Sequence, residues 1–425
     1  MRFLFCSLNS YGFLLSAIGT AVTLQERGHE IAFVTDTMLS GALARAGFPR
    51  IPRGTPDGPS FVIDGSGSPL EILRQVRHVE RALEHFPADV LVTQPPAFGP
   101  YLVAERTGLP VATQGMAVYL WPTAVPPIDP LVREFVARRY RGFALTYDSV
   151  RELLGMKQRV RGLADNPMMG DLHLLRSVPE FEGDMDSLPP QVYCVGDCLW
   201  ELPEKTEPAL LEWIARARDS GEPILYAQPG RSFSGYEYWP SLVEAFGNTP
   251  VRVAASVGRM NAQMGEPPEN FFVRPHVPQS VVLPHTRAVI SSATTTSVLG
   301  ALTHGLPLLL IPTDGGEQMD VLLRCMRAGV ALRLSETVAS SSPERLRASV
   351  EELLAREDLQ RQAAVLQDAF RRAGGHARAA ALLEELGRHG RGMEHEREGT
   401  SLFPRRGPRE EPDAPAPRVG GGLLS

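Results

Sequence analysis

The chain has 425 residues, which is too long for one hydrophobic core, so we expect two domains of about 150–200 residues each. Hydrophobic residues make up 43% of it and charged residues 22%, as in soluble globular proteins. The net charge of −6 argues against a nucleic-acid backbone as the main partner. The apolar runs all fall short of the about 18 residues that a transmembrane helix requires.

The N-terminal segment has some features of a signal peptide, but it carries a single Arg and its apolar run is interrupted by "NSYG". The pattern also continues directly into another strand. The cysteines are Cys6, Cys194, Cys198 and Cys325, and the Cys194/Cys198 spacing lacks a second pair that would complete a zinc site. We therefore expect a cytoplasmic protein with reduced thiols and without a metal site.

The first half alternates buried strands with helices. Strands are predicted at residues 2–7, 29–36, 88–94 and 109–115, with helices at 13–27 and 98–108 and a further helix that begins at Leu70. Such alternation predicts a doubly wound α/β domain with a parallel sheet, whose ligands bind at the carboxyl ends of the strands. Residues 122–185 are helical in pattern but interrupted by prolines, which fits an inserted subdomain or lid.

The alternation starts again after a linker and predicts a second domain of the same class. We place the first domain at residues 1–200, the linker at 201–221 and the second domain at 222–387. Residues 343–386 are helical, and helices in this position often cross back to the first domain. Residues 388–425 are rich in charge, Pro and Gly, and they carry too few apolar residues to offset the entropy of ordering, so we predict a disordered tail.

The segment "VISSATTTSVLGALTHGLPLLLIPTDGGEQ" places a turn of small, hydroxylated residues between a strand and a helix. Unpaired backbone N–H groups and the dipole make the start of such a helix an anion site. Ser292, Thr294, Thr295, Thr296 and Ser297 add hydroxyl donors. The alternative is that these hydroxyls only cap the helix, although five exceed what capping requires.

This segment resembles the donor site of nucleotide-sugar glycosyltransferases with the GT-B fold, in the family that includes antibiotic and plant natural-product enzymes. "ERGHEIAFVT", "VPQSVVLPHTRAVIS", "LPPQVYCVGD" and "GGHARAAALLEEL" resemble further motifs of that family in the same order. The resemblance covers roughly residues 1–387. It implies two Rossmann-like domains that face each other across a cleft.

The resemblance also implies roles for individual residues. His276, Val277 and Gln279 are expected to meet the base or ribose, and the turn from Ser292 to Ser297 the diphosphate. Glu317 and Gln318 are expected to bind sugar hydroxyls. The expected partners are a UDP- or TDP-type nucleotide sugar and a small-molecule acceptor, with transfer that needs neither a metal nor another cofactor. Taken singly, Glu317 could equally be a solvated carboxylate and Gln279 a helix cap.

Several residues depart from the family's pattern. The family's catalytic His is replaced by Phe13, which follows Gly12, and the Asp that orients it is replaced by Gln94. The usual His-Gly-Gly of the phosphate turn is Ser292-Ala293-Thr294, and a ribose-binding Glu is Gly300. Arg231 stands where Ser or Thr is usual. It could supply charge to the phosphates or could be a surface residue.

These departures leave three hypotheses. In the first, the protein is an active enzyme whose acceptor ionises without a His base or whose base is another residue. In the second, it is a silent homologue that binds a nucleotide sugar or a partner protein. In the third, it performs a different transfer reaction. Asp36 and His78 are the candidate substitute bases, and His85 shares the helical face of His78, which could simply be a polar face. Gly12, Phe13 and Gln94 are expected on the acceptor side. We favour an active, inverting glycosyltransferase whose acceptor is a phenolic or acidic natural product.

Overall fold

The computed structural model describes residues 1–116, 130–157, 167–183, 188–203, 205–228, 238–258, 265–312 and 316–390. The strands are β1 (Arg2–Cys6), β2 (Glu30–Val34), β3 (Val90–Thr93), β4 (Val111–Gly115), β5 (Leu172–Leu175), β6 (Val192–Cys194), β7 (Ile224–Gln228), β8 (Arg252–Ser256), β9 (Phe271–Arg274), β10 (Thr286–Ser291), β11 (Leu308–Leu310) and β12 (Ala331–Arg333).

The helices surround these strands. They are α1 (Tyr11–Glu26), α2 (Ser40–Arg45), α3 (Pro69–His85), α4 (Gly99–Thr107), α5 (Pro130–Leu153), α6 (Pro179–Glu182), α7 (Pro208–Ser220), α8 (Trp239–Phe246), α9 (Gln279–Val282), α10 (Thr295–Thr303), α11 (Gly316–Arg327), α12 (Glu336–Ser341), α13 (Pro343–Ala355), α14 (Glu357–Ala373) and α15 (Gly375–His389).

The strands form two six-stranded sheets in which all pairings are parallel. Their orders are β2-β1-β3-β4-β5-β6 and β12-β11-β10-β7-β8-β9, and both belong to one compact unit. The central strands read as continuous apolar runs because helices cover both faces; β3, for example, is buried at all four positions. The predicted α/β class with two Rossmann-like sheets is confirmed.

The C-terminal helix α15 connects the halves of the chain. Five apolar residues of α15 are buried in the core of the first sheet, so the predicted return of the C-terminal helices is observed. A Cβ atom placed on Gly19 of α1 would lie 2.1 Å from the His376 ring, and only glycine permits this close approach. The His376 ring donates from Nε2 to the Leu199 carbonyl at 2.9 Å, which joins α15 to the segment that leaves the first sheet.

The prediction for residues 122–185 is wrong in part. Leu172–Leu175 forms β5, a buried strand between β4 and β6, although the sequence pattern around it predicts a helix. The short run "LHLL" lies in a segment punctuated by proline, and its strand character comes from its neighbours in the sheet. The predicted tail falls largely on residues 391–425, which lie outside the described residues.

Burial raises the pKa of three thiols, those of Cys6, Cys198 and Cys325. All four cysteines are unpaired, as predicted. Within the described residues, no helix has the length and apolarity needed to cross a membrane.

Candidate functional site

β1 and β10, one strand from each sheet, lead into helix starts that lie close together, and we call the space between them the crevice. In the second sheet, the chain order reverses between β7 and β10, which end at Gln228 and Ser291. Ligands of open α/β sheets bind outside such a reversal point. The turn of small residues predicted to hold phosphate therefore lies where the topology itself places a ligand.

The turn after β10 is tightly built. Ser292 and Ala293 are wholly buried, whereas Thr294, Thr295 and Thr296 are half-buried. Ala293 has a φ of 62°, in the left-handed region that favours glycine, and its N–H donates to Ser291 Oγ at 3.0 Å. This conformation lets the chain reverse within two residues and start α10 at once.

Some of the predicted donor hydroxyls hold the turn itself. Ser297 Oγ contacts the hydroxyls of Ser291 and Thr294, the latter at 2.8 Å, and donates to the Thr294 carbonyl at 3.0 Å. The Thr294 side chain does not cap α10, and the first turn of this helix carries no acidic residue. The N-cap side chain therefore adds no hydrogen bond to the first turn of α10, and the backbone N–H groups of a helix start are its usual anion donors.

The start of α10 faces the start of α1 across the crevice. A Cβ atom on Gly12 would lie 3.2 Å from Thr296 Oγ1, so these two helix starts almost touch. The Ser10 side chain does not cap α1, whose first turn also has no acidic residue. Two helices from different sheets therefore direct the positive ends of their dipoles into one space, which favours an anion there.

The residues expected to read the nucleoside form a second group beside this turn. Val277 is buried; its N–H donates to Ser256 Oγ and its carbonyl accepts from the Tyr226 hydroxyl. His276 is exposed on the same segment. Gln279 is 8% exposed, and its Nε2 donates to Gln228 Oε1 at 2.6 Å.

Gly300 explains the position of Gln279. A Cβ atom at residue 300 would lie 2.4 Å from Gln279 Oε1, so the amide occupies space that a larger residue on α10 would need. Glu201 caps α9 by accepting from the N–H groups of Gln279 and Ser280 at 2.6 and 3.2 Å. Sequence reasoning missed Glu201 and Gln228, because their partners lie far away in the chain.

The remaining donor-side residues are placed only in part. Gln318 lies in the first turn of α11 and is 5% exposed, and the backbone of Glu317 belongs to the same turn. The structure does not describe the Glu317 side chain. Arg231 lies outside the described residues.

The acceptor side carries an amide in place of a charged pair. Gln94 follows β3 and is 2% exposed; its Nε2 donates to the Phe13 carbonyl at 2.7 Å, and its Oε1 accepts from Ser7 Oγ at 3.3 Å. Phe13 is half-buried and packs against the apolar cluster of the first sheet. Gln94 therefore fastens the first turn of α1 to the sheet, and neither side chain can accept a proton at neutral pH.

The two candidate substitute bases make folding contacts. Asp36 accepts from the N–H groups of Met38 and Ser60 at 3.0 and 3.3 Å, as a helix cap. His78 is fully buried between Ser60 Oγ at 2.6 Å and the Ile51 carbonyl at 2.8 Å, and burial lowers its pKa to about 4. His85 is exposed and bonded to the Arg81 carbonyl, so it does not share the surroundings of His78.

Comparison with known proteins agrees with this geometry. A family model described as "UDP-glucoronosyl and UDP-glucosyl transferase" matches residues 244–369. The chain is 31% identical over 278 residues to 4'-demethylrebeccamycin synthase of Lentzea aerocolonigenes, over 60% of this chain and 64% of that protein, which is less than two thirds of its length. It is 23% identical to the NDP-glycosyltransferase YjiC of Bacillus subtilis (strain 168), over 89% of this chain and 95% of that protein.

Over these segments the chain is similar to nucleotide-sugar glycosyltransferases. Its fold matches the solved structure of spinosyn rhamnosyltransferase SpnG complexed with thymidine diphosphate, with a TM-score of 0.68 and 21% identity, over 90% of this chain and 100% of that one. The resemblance and the GT-B fold predicted from the sequence are thereby confirmed. The names of these relatives support the predicted enzyme class.

Proposed function

We propose that this protein transfers a sugar from a nucleoside diphosphate sugar to a small-molecule acceptor, with inversion at the anomeric carbon. The observation that carries the proposal is the close approach of two helix starts, at Gly12 and Thr296, neither of which is capped by its N-cap side chain and each of which follows a strand of a different parallel sheet. A diphosphate leaving group develops negative charge as its bond to the sugar breaks. Preorganised backbone N–H groups stabilise that charge without reorganising.

The reaction needs no further group from the protein on the leaving side. The acceptor oxygen or nitrogen forms a bond to the anomeric carbon as the bond to the diphosphate oxygen breaks, and the electron pair of that bond leaves with the diphosphate. In-line attack from the opposite face inverts the anomeric configuration. A neighbour solved with thymidine diphosphate supports a nucleoside diphosphate as the ligand of the turn.

The acceptor side favours nucleophiles that ionise unaided. Phe13 and Gln94 occupy the positions nearest the start of α1, and the Gln94 amide donates a hydrogen bond to the Phe13 carbonyl. Asp36 and His78 are engaged in folding contacts. Acceptors whose nucleophilic group ionises near neutral pH, such as acidic phenols or enols, therefore suit this site, and the released proton passes to solvent.

Turnover with a panel of donors tests the proposal. The protein is incubated with UDP- and TDP-sugars, and nucleoside diphosphate release is measured with and without phenolic acceptors of graded pKa. Release that depends on the acceptor supports transfer. Tight binding of the donor without turnover would instead support the silent homologue that the Phe13 and Gln94 replacements allow, and absence of both would refute the proposal.

The substitution Thr294→Glu tests the location of the diphosphate. A carboxylate beside the turn would repel the diphosphate by several kcal/mol at about 4 Å, so we expect the Kd for UDP and TDP to rise about 100-fold or more. Thr294→Gln is the control, because it also loses the hydroxyl that meets Ser297 but adds no charge. Equal affinities of the two variants would place the diphosphate elsewhere.

A further inference from the structure

The helix α11 carries a buried ion cluster that reaches into the other half of the chain. The Arg324 side chain is 2% exposed and forms an ion pair with Glu182, which ends α6, through Nη1. Its Nε lies 2.9 Å from Asp320 Oδ2, one turn earlier on α11, and both carboxylates are at most 5% exposed. The charges stay paired with each other in an environment from which water is excluded.

Apolar packing and a second arginine surround this cluster. Val178 and Phe181 are fully buried in the same apolar cluster as Val321, Leu322 and Cys325 of α11. Arg327 Nη2 donates to the carbonyls of Phe181 and Glu182 at 2.5 and 2.8 Å. The segment from Val178 to Gly183 therefore precedes the linker in the chain but is packed on the core of the second sheet.

The ion cluster restricts the position of α11 along its axis more closely than the apolar contacts do. Aliphatic side chains tolerate small shifts of one helix along another, whereas a buried guanidinium must stay within ion-pair distance of its carboxylates, Glu182 and Asp320. Buried ionic groups can in this way specify register even where they add little stability. Gln318 lies six residues before Arg324 on the same helix, which is about 9 Å along its axis.

We propose that Arg324 is a positioning residue, which holds the start of α11 at a fixed place relative to the turn before α10 and to the first sheet. The inference rests on the proposed function, in which the start of α11 meets the sugar and the turn before α10 meets the diphosphate. Displacing α11 changes the sugar subsite and leaves the phosphate subsite in place. The expected signature is a loss of affinity for the nucleotide sugar that is not shared by the nucleoside diphosphate.

The test removes the cluster without leaving an unpaired buried charge. Arg324→Met alone strands Glu182 and Asp320, so it is paired with the triple variant Glu182→Leu, Asp320→Leu, Arg324→Met, which is apolar and of similar volume. In the triple variant we expect the Kd for UDP-glucose and TDP-glucose to rise at least tenfold, and the Kd for UDP and TDP to change less than twofold. Arg324→Lys should not restore the wild-type ratio, because it lacks the planar fork.

A matched control is available on the same interface. Arg372 of α14 pairs with Glu180 of α6 at 3.1 Å, but both side chains are exposed to solvent. Arg372→Met also removes an arginine that joins these two segments, and we expect both affinities to stay at the wild-type level because exposed pairs contribute little.

Two measurements distinguish a failure of the positioning role from a failure of the proposed function. Unchanged sugar-to-diphosphate affinity ratios in a folded triple variant would overturn the positioning role. If wild-type protein binds neither ligand class, the proposed function fails, and hydrogen exchange then decides the inference. Backbone amides of residues 316–323 should exchange at least tenfold faster in the triple variant than in wild type, and equal rates would overturn the proposal.

Discussion

Substitution of Gly300 should change the affinity for the nucleoside diphosphate while it leaves the free energy of unfolding nearly unchanged. In Gly300→Ala, the new Cβ would lie 2.4 Å from Gln279 Oε1 and 3.0 Å from Cδ, which is too close for either atom to remain. The Gln279 side chain must swing away and lose its 2.6 Å hydrogen bond to Gln228. The substitution on α10 therefore displaces the Gln279 amide, which is expected to meet the nucleoside.

The two contributions to stability nearly cancel. Alanine inside a helix is favoured over glycine by about 0.5–1 kcal/mol, and the lost hydrogen bond costs about 0.5–1.5 kcal/mol. We therefore expect the free energy of unfolding to change by less than about 1 kcal/mol. If Gln279 meets the nucleoside, losing one amide contact of similar strength should raise the Kd for UDP and TDP about 2- to 13-fold.

Calorimetric titration of UDP and TDP, with urea unfolding in parallel, measures both quantities. Gly142→Ala on α5 is the matched control, because it makes the same substitution inside a helix with open space around the new methyl group. The control should keep wild-type affinity. An unaltered Kd in a folded Gly300→Ala variant would show that Gln279 does not meet the nucleoside, and the same loss in the control would show that the effect is not local.

Two further changes test the fold around the site. Gly19→Ala should destabilise the protein by about 1–3 kcal/mol in urea unfolding, because its Cβ would lie 2.1 Å from the His376 ring; an unshifted midpoint would mean that α15 yields easily. His78 has a pKa of about 4 in the folded protein and about 6.5 when unfolded, so only the unfolded chain gains this proton as the pH falls through that window, and stability is lost there. His78→Gln has no such group, so its free energy of unfolding should not show this loss. Relative to wild type, the variant should therefore gain about 3 kcal/mol of unfolding free energy between pH 7 and pH 4. A difference that stays constant with pH would show that His78 titrates normally.

The sequence predicts the architecture well where local pattern and tertiary environment agree. Strand β10 and helix α10 carry their apolar residues, their small-residue turn and their boundaries within one continuous segment, so the turn could be located without a structure. Strand β5 could not, since four residues that include His173 have no pattern of their own and are ordered by β4 and β6.

The chemistry of the site was less predictable, because it depends on partners from distant segments. The hydroxyls of Thr294 and Ser297 look like ligand donors in the sequence, yet they bond to each other. Gln279 looks like a nucleoside contact, yet only its neighbours Gln228 and Gly300 show where its amide lies. No spacing rule connects such residues, and three-dimensional contacts alone reveal them.

Phe13 and Gln94 stand where the family's His and Asp are usual. A hydrogen bond between the two positions remains, but the proton acceptor is lost. Gln94 still joins the end of β3 to the first turn of α1, and it reaches the backbone of Phe13 instead of an imidazole. In the proposed function, the two helix starts at Gly12 and Thr296 serve the leaving group, so we expect the replacement to affect activation of the nucleophile. A general base contributes about 10²–10⁴ to rate.

An acceptor can supply that factor through its own acidity. A phenol of pKa about 10 is ionised to about one part in a thousand at pH 7, whereas an acceptor of pKa 7 or below is at least half ionised and regains most of the missing factor. An ordinary alcohol stays protonated at neutral pH and would need the absent base. If the protein has the proposed function, we expect the rate of transfer to rise with the ionised fraction of the acceptor, because residue 13 is Phe and cannot act as the base.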